Sequence, residues 1–249
     1  CAGTQDGDTS ACGRAVREAF RTTLRAGTWI LRTPAALSVI LFGLLFDHVI
    51  RMTLTLNSQY FRLIELPEAS FGLIASALSI MGVFIPSLAL RLSKRQGAGR
   101  NATLMGAVTL VGLWGMSLLL PYYGVVFAAM LMAVMYANGF FVSHYLNKVT
   151  DSRQRATVLS FRGLTYNLAY GAMGILYSLL LAGLRGDLSL GTDDVSDRVY
   201  EQSLPWFPAY FALLFVVFAI YVRHRRKNNG RALAPDPDAN AADTSSDER

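Results

Sequence analysis

Six apolar stretches, each long enough to cross a bilayer as a helix, dominate this sequence of 249 residues. A helix that crosses the hydrocarbon needs roughly 17 to 25 mainly apolar residues. With 53% hydrophobic and only 16% charged residues, the composition also departs from that of soluble domains. The stretches are Ala35–Tyr60, Phe71–Leu92, Ala102–Tyr122, Val125–Leu146, Ala156–Leu184 and Trp206–Val222. The sequence therefore predicts an all-α membrane protein with six transmembrane helices in a lipid bilayer.

Lysine and arginine gather on alternate connections between these stretches, as they do in cytoplasmic loops. The basic connections hold Arg14, Arg17, Arg21, Arg25, Arg32, Arg91, Lys94, Arg95, Arg100, Lys148, Arg153, Arg155, Arg223, Arg225, Arg226 and Lys227. The connections on the other side hold only Arg62, Arg185 and Arg198. This pattern predicts a multi-pass membrane protein with both ends of the sequence cytoplasmic. Cytoplasmic loops thus explain the net charge of +6 without a nucleic-acid partner.

The sequence divides into three regions. Residues 1–33 form a predicted cytoplasmic segment, in which arginines follow one helical face and apolar residues another, as in an amphipathic helix on the inner membrane surface. Residues 34–227 contain the six spans. Residues 228–249 lack apolar periodicity and are predicted to be disordered. The sequence begins at Cys1 without an initiator methionine or a signal peptide, which indicates a fragment of a longer protein.

A polar stripe runs along the first stretch. Asp47, Arg51, Thr55, Ser58 and Arg62 recur every three or four residues, which is helical spacing. A charge in hydrocarbon costs at least about 2.5 to 3.5 kcal/mol, so such residues face a partner or a water-filled cavity. Asp47 and Arg51 can also simply neutralise each other across one turn, although a pathway role is favoured. The stripe occupies the outer half of its helix and is predicted to line an outward-facing cavity.

Two further basic side chains leave alternatives open. His48 directly follows Asp47 and therefore lies beside the stripe on the helix surface. For this residue a buried neutral imidazole is favoured over a proton relay. Arg162 lies about 9 Å from the inner end of its predicted helix, so a gate and an interface anchor are both consistent with its position. The histidines and the two cysteines lack ligand-like partners at metal spacing. Neither a metal nor a cofactor is predicted.

The stretches also differ in polar content. The third and sixth contain no charged residue, whereas the others carry lines of polar side chains. Besides those of the first stretch, the candidate pathway residues are Ser79, Tyr136, Ser143, Arg162, Tyr166, Asn167 and Tyr170. Along the sequence, two polar stretches are followed by one plain stretch, meaning one without charged residues, and this order occurs twice. An inverted three-plus-three repeat with a peripheral third helix has this order.

Three strings resemble the C-terminal half of bacterial permeases of the major facilitator superfamily, over about Leu31 to Arg226. They are FDHVIRMTLTLNSQYFRLIELPEASFGLIASAL, RLSKRQGAGR and YLNKVTDSRQRATVLSFRGLTYNLAYG. The last is the most specific, since a basic turn leads into an Arg-Ala-Thr-x-Leu-Ser helix start at Arg155. The resemblance implies that the spans are helices seven to twelve of a twelve-helix fold, and that the protein lies in the inner cell membrane. In RLSKRQGAGR, Lys94 stands where the family has an acid, so a charge-relay gate is not expected there.

The same resemblance implies secondary active transport of a small-molecule substrate by alternating access. The N-terminal six-helix half would supply the other wall of the cavity, and this half alone would not transport. Asp47 is the only acidic residue inside a span, so it is the candidate for coupling to protons. Arg51 would attract an anion if Asp47 did not neutralise it. Substrate, direction of transport and coupling ion stay open.

Two other classes of function compete with transport. A self-contained six-span half-transporter or a non-transporting membrane scaffold stays open. An intramembrane enzyme is disfavoured, because the sequence has no H-E-x-x-H, no G-x-S-x-G and only one intramembrane aspartate. The sequence thus predicts a protein that is not an enzyme.

Overall fold

The computed structural model describes residues 33–150, 155–186 and 192–232, together with Arg17, Glu18, Arg21, Gly27, Thr28 and Ile30. All regular structure in these ranges is helical, which confirms the predicted all-α class. The helices are α1 (Pro34–Thr55), α2 (Asn57–Leu63), α3 (Phe71–Arg95), α4 (Ala98–Ser117), α5 (Val125–Val149), α6 (Arg155–Gly186), α7 (Thr192–Ser203) and α8 (Trp206–Ala232). A 3-10 turn, Glu68–Ser70, precedes α3.

Five helical segments in this part of the chain are long and apolar enough to cross a membrane. They are Pro34–Thr55, Glu68–Arg95, Val125–Val149, Arg155–Gly186 and Val195–Arg225. Helix α4 is not among them, because its first turn contains Arg100 and Asn101 and it already ends at Ser117. The predicted third stretch, Ala102–Tyr122, extends beyond this helix into the following turn. A sixth span therefore stays a prediction.

The first predicted stretch, Ala35–Tyr60, consists of two helices rather than one. Helix α1 ends at Thr55, and the Leu56 N–H bonds back to the Thr53 carbonyl at 3.2 Å before α2 begins. Ser58 and Arg62 consequently belong to α2. The predicted polar stripe is thus divided between two helices, and only its first part lies on α1.

The long helices pack in two rows. Helices α1 and α5 pack most extensively against each other, α3 packs on α5, and α6 packs on α1. The front row therefore runs α3, α5, α1, α6. Behind it, α4 packs on α5, α8 packs on α1, and α4 touches α8. Fully buried side chains such as Phe46 and Leu131 come from the central pair, whereas α3 and α6 at the edges are largely exposed.

The connection between α4 and α5 is fixed to the end of α2. Tyr122, whose φ of 58° is in the left-handed region, donates its N–H to the Ile64 carbonyl at 2.9 Å. The hydroxyl of the buried Tyr60 donates to the Gly124 carbonyl at 3.2 Å. The short turn predicted at Pro121 to Gly124 is present, and these two hydrogen bonds hold it in place.

The predicted flanking regions lie mostly outside the described residues. Of the predicted amphipathic helix, Arg17, Glu18 and Arg21 are described, and all three are helical. Helix α8 continues to Ala232, past the predicted start of the tail at residue 228. The remainder of the predicted tail, 233–249, is not among the described residues.

Candidate functional site

An ion pair lies on α1, within a mainly apolar helix. Arg51 Nη2 donates to Asp47 Oδ1 at 2.7 Å and lies 2.7 Å from Oδ2 as well. Within the described residues, no donor forms a well-aligned hydrogen bond to Oδ2. The spacing of one helical turn places the two side chains on one face. The Asp47 side chain is 6% exposed and that of Arg51 is 31% exposed, so the pair extends from the interior to the open side of α1.

Arg51 and Thr55 connect α1 to α6. Arg51 Nη1 donates to Asn167 Oδ1 at 2.9 Å, and the guanidinium carbon lies 5.5 Å from the centre of the Tyr170 ring. Thr55 Oγ1 and the Tyr170 hydroxyl are 3.1 Å apart. These contacts make one continuous row, which we call the α1–α6 polar line, and it consists of Asp47, Arg51, Thr55, Asn167 and Tyr170. All five residues were predicted from the sequence, and the structure brings them together.

The α1–α6 polar line opens towards the exposed side of the front row. Thr55 and Asn167 are exposed, and Tyr170 is partly exposed. In hydrocarbon these groups would have no hydrogen-bonding partner beyond one another, because lipid tails offer none. Water or another protein segment must therefore face this side of α1 and α6 if the helices cross a bilayer.

A second polar contact joins α5 to α6. Arg162 Nη1 donates to Ser143 Oγ at 3.3 Å, and its guanidinium carbon lies 5.7 Å from the centre of the Tyr166 ring. Tyr166 is 7% exposed, and among the described residues its hydroxyl has no hydrogen-bond partner. That hydroxyl occupies the space beside Gly43, where α1 has no side chain. Arg162 thus bridges two helices of the front row.

His48 is directed to another helix. Its Nε2 lies 3.2 Å from the hydroxyl of Tyr210 on α8, and Nδ1 contacts the Leu44 carbonyl. The two rings meet edge to face, with centres 5.8 Å apart. His48 is therefore held between the front row and α8, and within the described residues its side chain makes no hydrogen bond to the α1–α6 polar line. Tyr210 was not predicted, since the sixth stretch was interpreted as plain.

The remaining predicted residues lie at the α3 edge. Ser79 is exposed and donates to the Ala75 carbonyl of its own helix at 2.8 Å. Tyr136 of α5 packs against Gly82 of α3. The structure thus places both residues on the opposite edge of the row from α6.

Asn138 forms a buried contact that the sequence analysis missed. It is 2% exposed, and its Nδ2 donates to the Gly43 carbonyl of α1 at 3.0 Å. A lone amide inside an apolar stretch was the available signal, but Asn138 lies off the line formed by Tyr136 and Ser143. The contact links the central helices α1 and α5.

Replacing Asn138 with leucine is expected to lower the free energy of unfolding by about 1 kcal/mol, the usual net value of one hydrogen bond. The loss stays small because the Gly43 carbonyl keeps its partner within α1. Denaturation in mixed micelles measures the change. Asn147→Leu, at an exposed position of the same helix, serves as the control. Equal effects of the two substitutions would contradict a specific role for Asn138.

The described residues contain no group of three or more histidine, cysteine, aspartate or glutamate side chains that could hold a metal ion. No protein-family model, curated protein or solved structure matches this chain.

Proposed function

We propose that this chain is one six-helix half of a secondary active transporter of the major facilitator superfamily, which moves a small solute across a membrane by alternating access. The observation that carries the proposal is the α1–α6 polar line. It places a charged pair and several hydrogen-bonding groups on the open side of helices that are apolar enough to cross a membrane. In a bilayer, charged groups of this kind mark substrate or ion pathways.

The packing of the long helices supports an inverted repeat. In such a repeat α1 corresponds to α5, α3 to α6 and α4 to α8. The packed pair α3–α5 then corresponds to the pair α6–α1, and the pair α4–α5 corresponds to α8–α1. The pairs α1–α5 and α4–α8 correspond to themselves. All of these pairs pack in the structure, and a slight contact between α3 and α4 is the exception to the pattern. A pseudo-twofold relation of this kind is typical of transporter halves.

The exposed faces of the edge helices fit a second six-helix half. On α6, Gly163, Gly171 and Gly174 have open space where a side chain would be, and on α3 Gly72 does as well. Faces of small residues allow helices to approach closely in membranes. In this proposal the second half covers these faces, and the substrate binds between the halves beside the α1–α6 polar line.

Transport by the full-length protein in liposomes tests the proposal directly. Uptake of anions, sugars and hydrophobic compounds should identify at least one substrate, and Arg51→Ala should reduce its transport. A loss confined to anionic compounds would assign Arg51 to substrate binding, whereas a uniform loss would assign it to the structural pair. Absence of transport for the whole panel, in a protein shown to be folded, would contradict the proposal.

Coupling to protons gives a separate prediction for Asp47. Because Asp47 is the acidic residue of the α1–α6 polar line, Asp47→Asn should abolish uptake driven by a pH gradient while retaining exchange of substrate across the membrane. The measurement is uptake as a function of the imposed pH gradient. Glu68→Gln, at an exposed acidic position before α3, should behave like the unsubstituted protein. Unchanged rate and pH dependence in Asp47→Asn would exclude this coupling role.

A further inference from the structure

A groove of about 330 Å³ lies between α1, α4, α5 and α8. The groove lies at the end of the bundle where α1 and α4 begin and where α5 and α8 end. We call this the basic end, because Arg95, Arg100 and Lys148 lie there. The walls are mainly apolar and include Val39, Phe42, Ala102, Val149, Phe218 and Val222. This composition suits a hydrocarbon chain rather than a water-soluble molecule.

Two positively charged features border the groove. Lys148 lines it and forms no ion pair with an acidic residue within the described ranges, while its Nζ lies 5.9 Å from the centre of the Tyr145 ring. Helix α4 begins here, with Ala98 and Gly99 in the wall. Its N-cap, Gly97, forms no side-chain cap, and its first turn has no acidic residue. Within the part of the chain that the structure describes, the first N–H groups of α4 therefore have no side-chain acceptor, and the helix end favours an anion.

A buried amide provides a third, independent feature. Asn101 lines the groove and is 2% exposed. Its Nδ2 lies 3.4 Å from the Tyr145 hydroxyl, whereas among the described residues Oδ1 has no donor. Buried carbonyl oxygens are normally hydrogen-bonded, so a hydroxyl of a bound molecule would complete this site.

We propose that the groove binds an anionic phospholipid whose headgroup carries hydroxyls, with phosphatidylglycerol as the matching chemistry. One acyl chain lies along the apolar wall formed by Phe42 and Phe218. The phosphate pairs with Lys148 and the first N–H groups of α4, and a headgroup hydroxyl donates to Asn101 Oδ1. The inference rests on the membrane location contained in the proposed function, but it does not depend on transport.

Lipid binding to the full-length protein in detergent, followed by native mass spectrometry, tests this site. Phosphatidylglycerol should bind more tightly than phosphatidylcholine, and Lys148→Gln should weaken binding of phosphatidylglycerol about fivefold, the effect of one basic group near a membrane surface. The control is Lys94→Gln, an exposed lysine at the same end that does not line the groove. An equal loss in both variants, or equal binding of the two lipids, would overturn the proposal.

Two further measurements distinguish binding of the whole lipid from binding of a soluble phosphate, and test the role of Asn101. Millimolar glycerol phosphate should not displace the lipid, and displacement would show that the site takes a soluble phosphate instead. Phosphatidylmethanol is a singly charged phosphodiester like phosphatidylglycerol but has no headgroup hydroxyl, so the unsubstituted protein should prefer phosphatidylglycerol over it and Asn101→Leu should lose that preference. A preference that survives in Asn101→Leu would overturn the role of Asn101. Thermal unfolding confirms that each variant is folded.

Discussion

Arg51→Met should lower the free energy of unfolding by about 3 to 5 kcal/mol, because Asp47 would remain buried without its partner. Met keeps an unbranched apolar side chain in place of the arginine stem while removing the charge. Unfolding in mixed micelles measures the loss. The double variant Asp47→Asn, Arg51→Met should regain most of the stability, since it removes both charges together. This recovery distinguishes a broken ion pair from a general packing defect.

Arg62→Met is the matched control for this experiment. Arg62 belongs to the same predicted stripe but lies exposed on α2, so the stability should change by no more than about 0.5 kcal/mol. If Arg51→Met is as stable as Arg62→Met, Asp47 is not held in a buried ion pair. Transport by the double variant then provides the functional test. A stable protein without transport supports a pathway role for the pair, and a stable protein with full transport contradicts it.

The second large effect is expected at Gly43. A side-chain carbon there would overlap the Tyr166 hydroxyl and would lie 2.5 Å from Val142 Cγ2. Gly43→Ala should therefore destabilise the protein by about 1 to 3 kcal/mol, the range for overpacked sites. Tyr166→Phe removes the nearest of the overlapping atoms, so adding it to Gly43→Ala should recover part of the loss. Thermal unfolding of the two single variants and the double variant measures this coupling.

Gly183→Ala should have the opposite effect in the neighbouring helix α6. Among the described residues nothing contacts the position of a side-chain carbon at Gly183, so alanine should stabilise the helix by about 0.5 to 1 kcal/mol. Similar effects at Gly43 and Gly183 would show that α1 and α6 do not approach as closely as the structure indicates.

The positions of most helices follow from the sequence, because long apolar stretches leave few alternatives. The second stretch, predicted as Phe71–Leu92, is the helix Phe71–Arg95, for example. The break at Leu56 was not predictable in the same way. Neither glycine nor proline marks it, and the side chains on both sides of it are compatible with a continuous helix. Tertiary packing of the buried Tyr60 fixes the short helix that follows.

The candidate site was predictable along each helix but not between helices. Helical spacing placed Asp47, Arg51 and Thr55 on one face of α1, because that periodicity is local. The partner of this face could not be read from a local pattern. Arg51 meets Asn167 because Gly43 allows α6 to pack closely on α1, a relation between residues far apart in the chain. For the same reason the contact between His48 and Tyr210 appeared only in the structure.

The two hydrogen bonds that join Tyr60 and Ile64 to the turn between α4 and α5 have a mechanical consequence. They fasten three helices of the bundle at the end opposite to the basic end. Because these hydrogen bonds hold this end together, separation of α1 from α4 and α5 is most restricted near Tyr60. Any such separation would therefore be largest at the basic end.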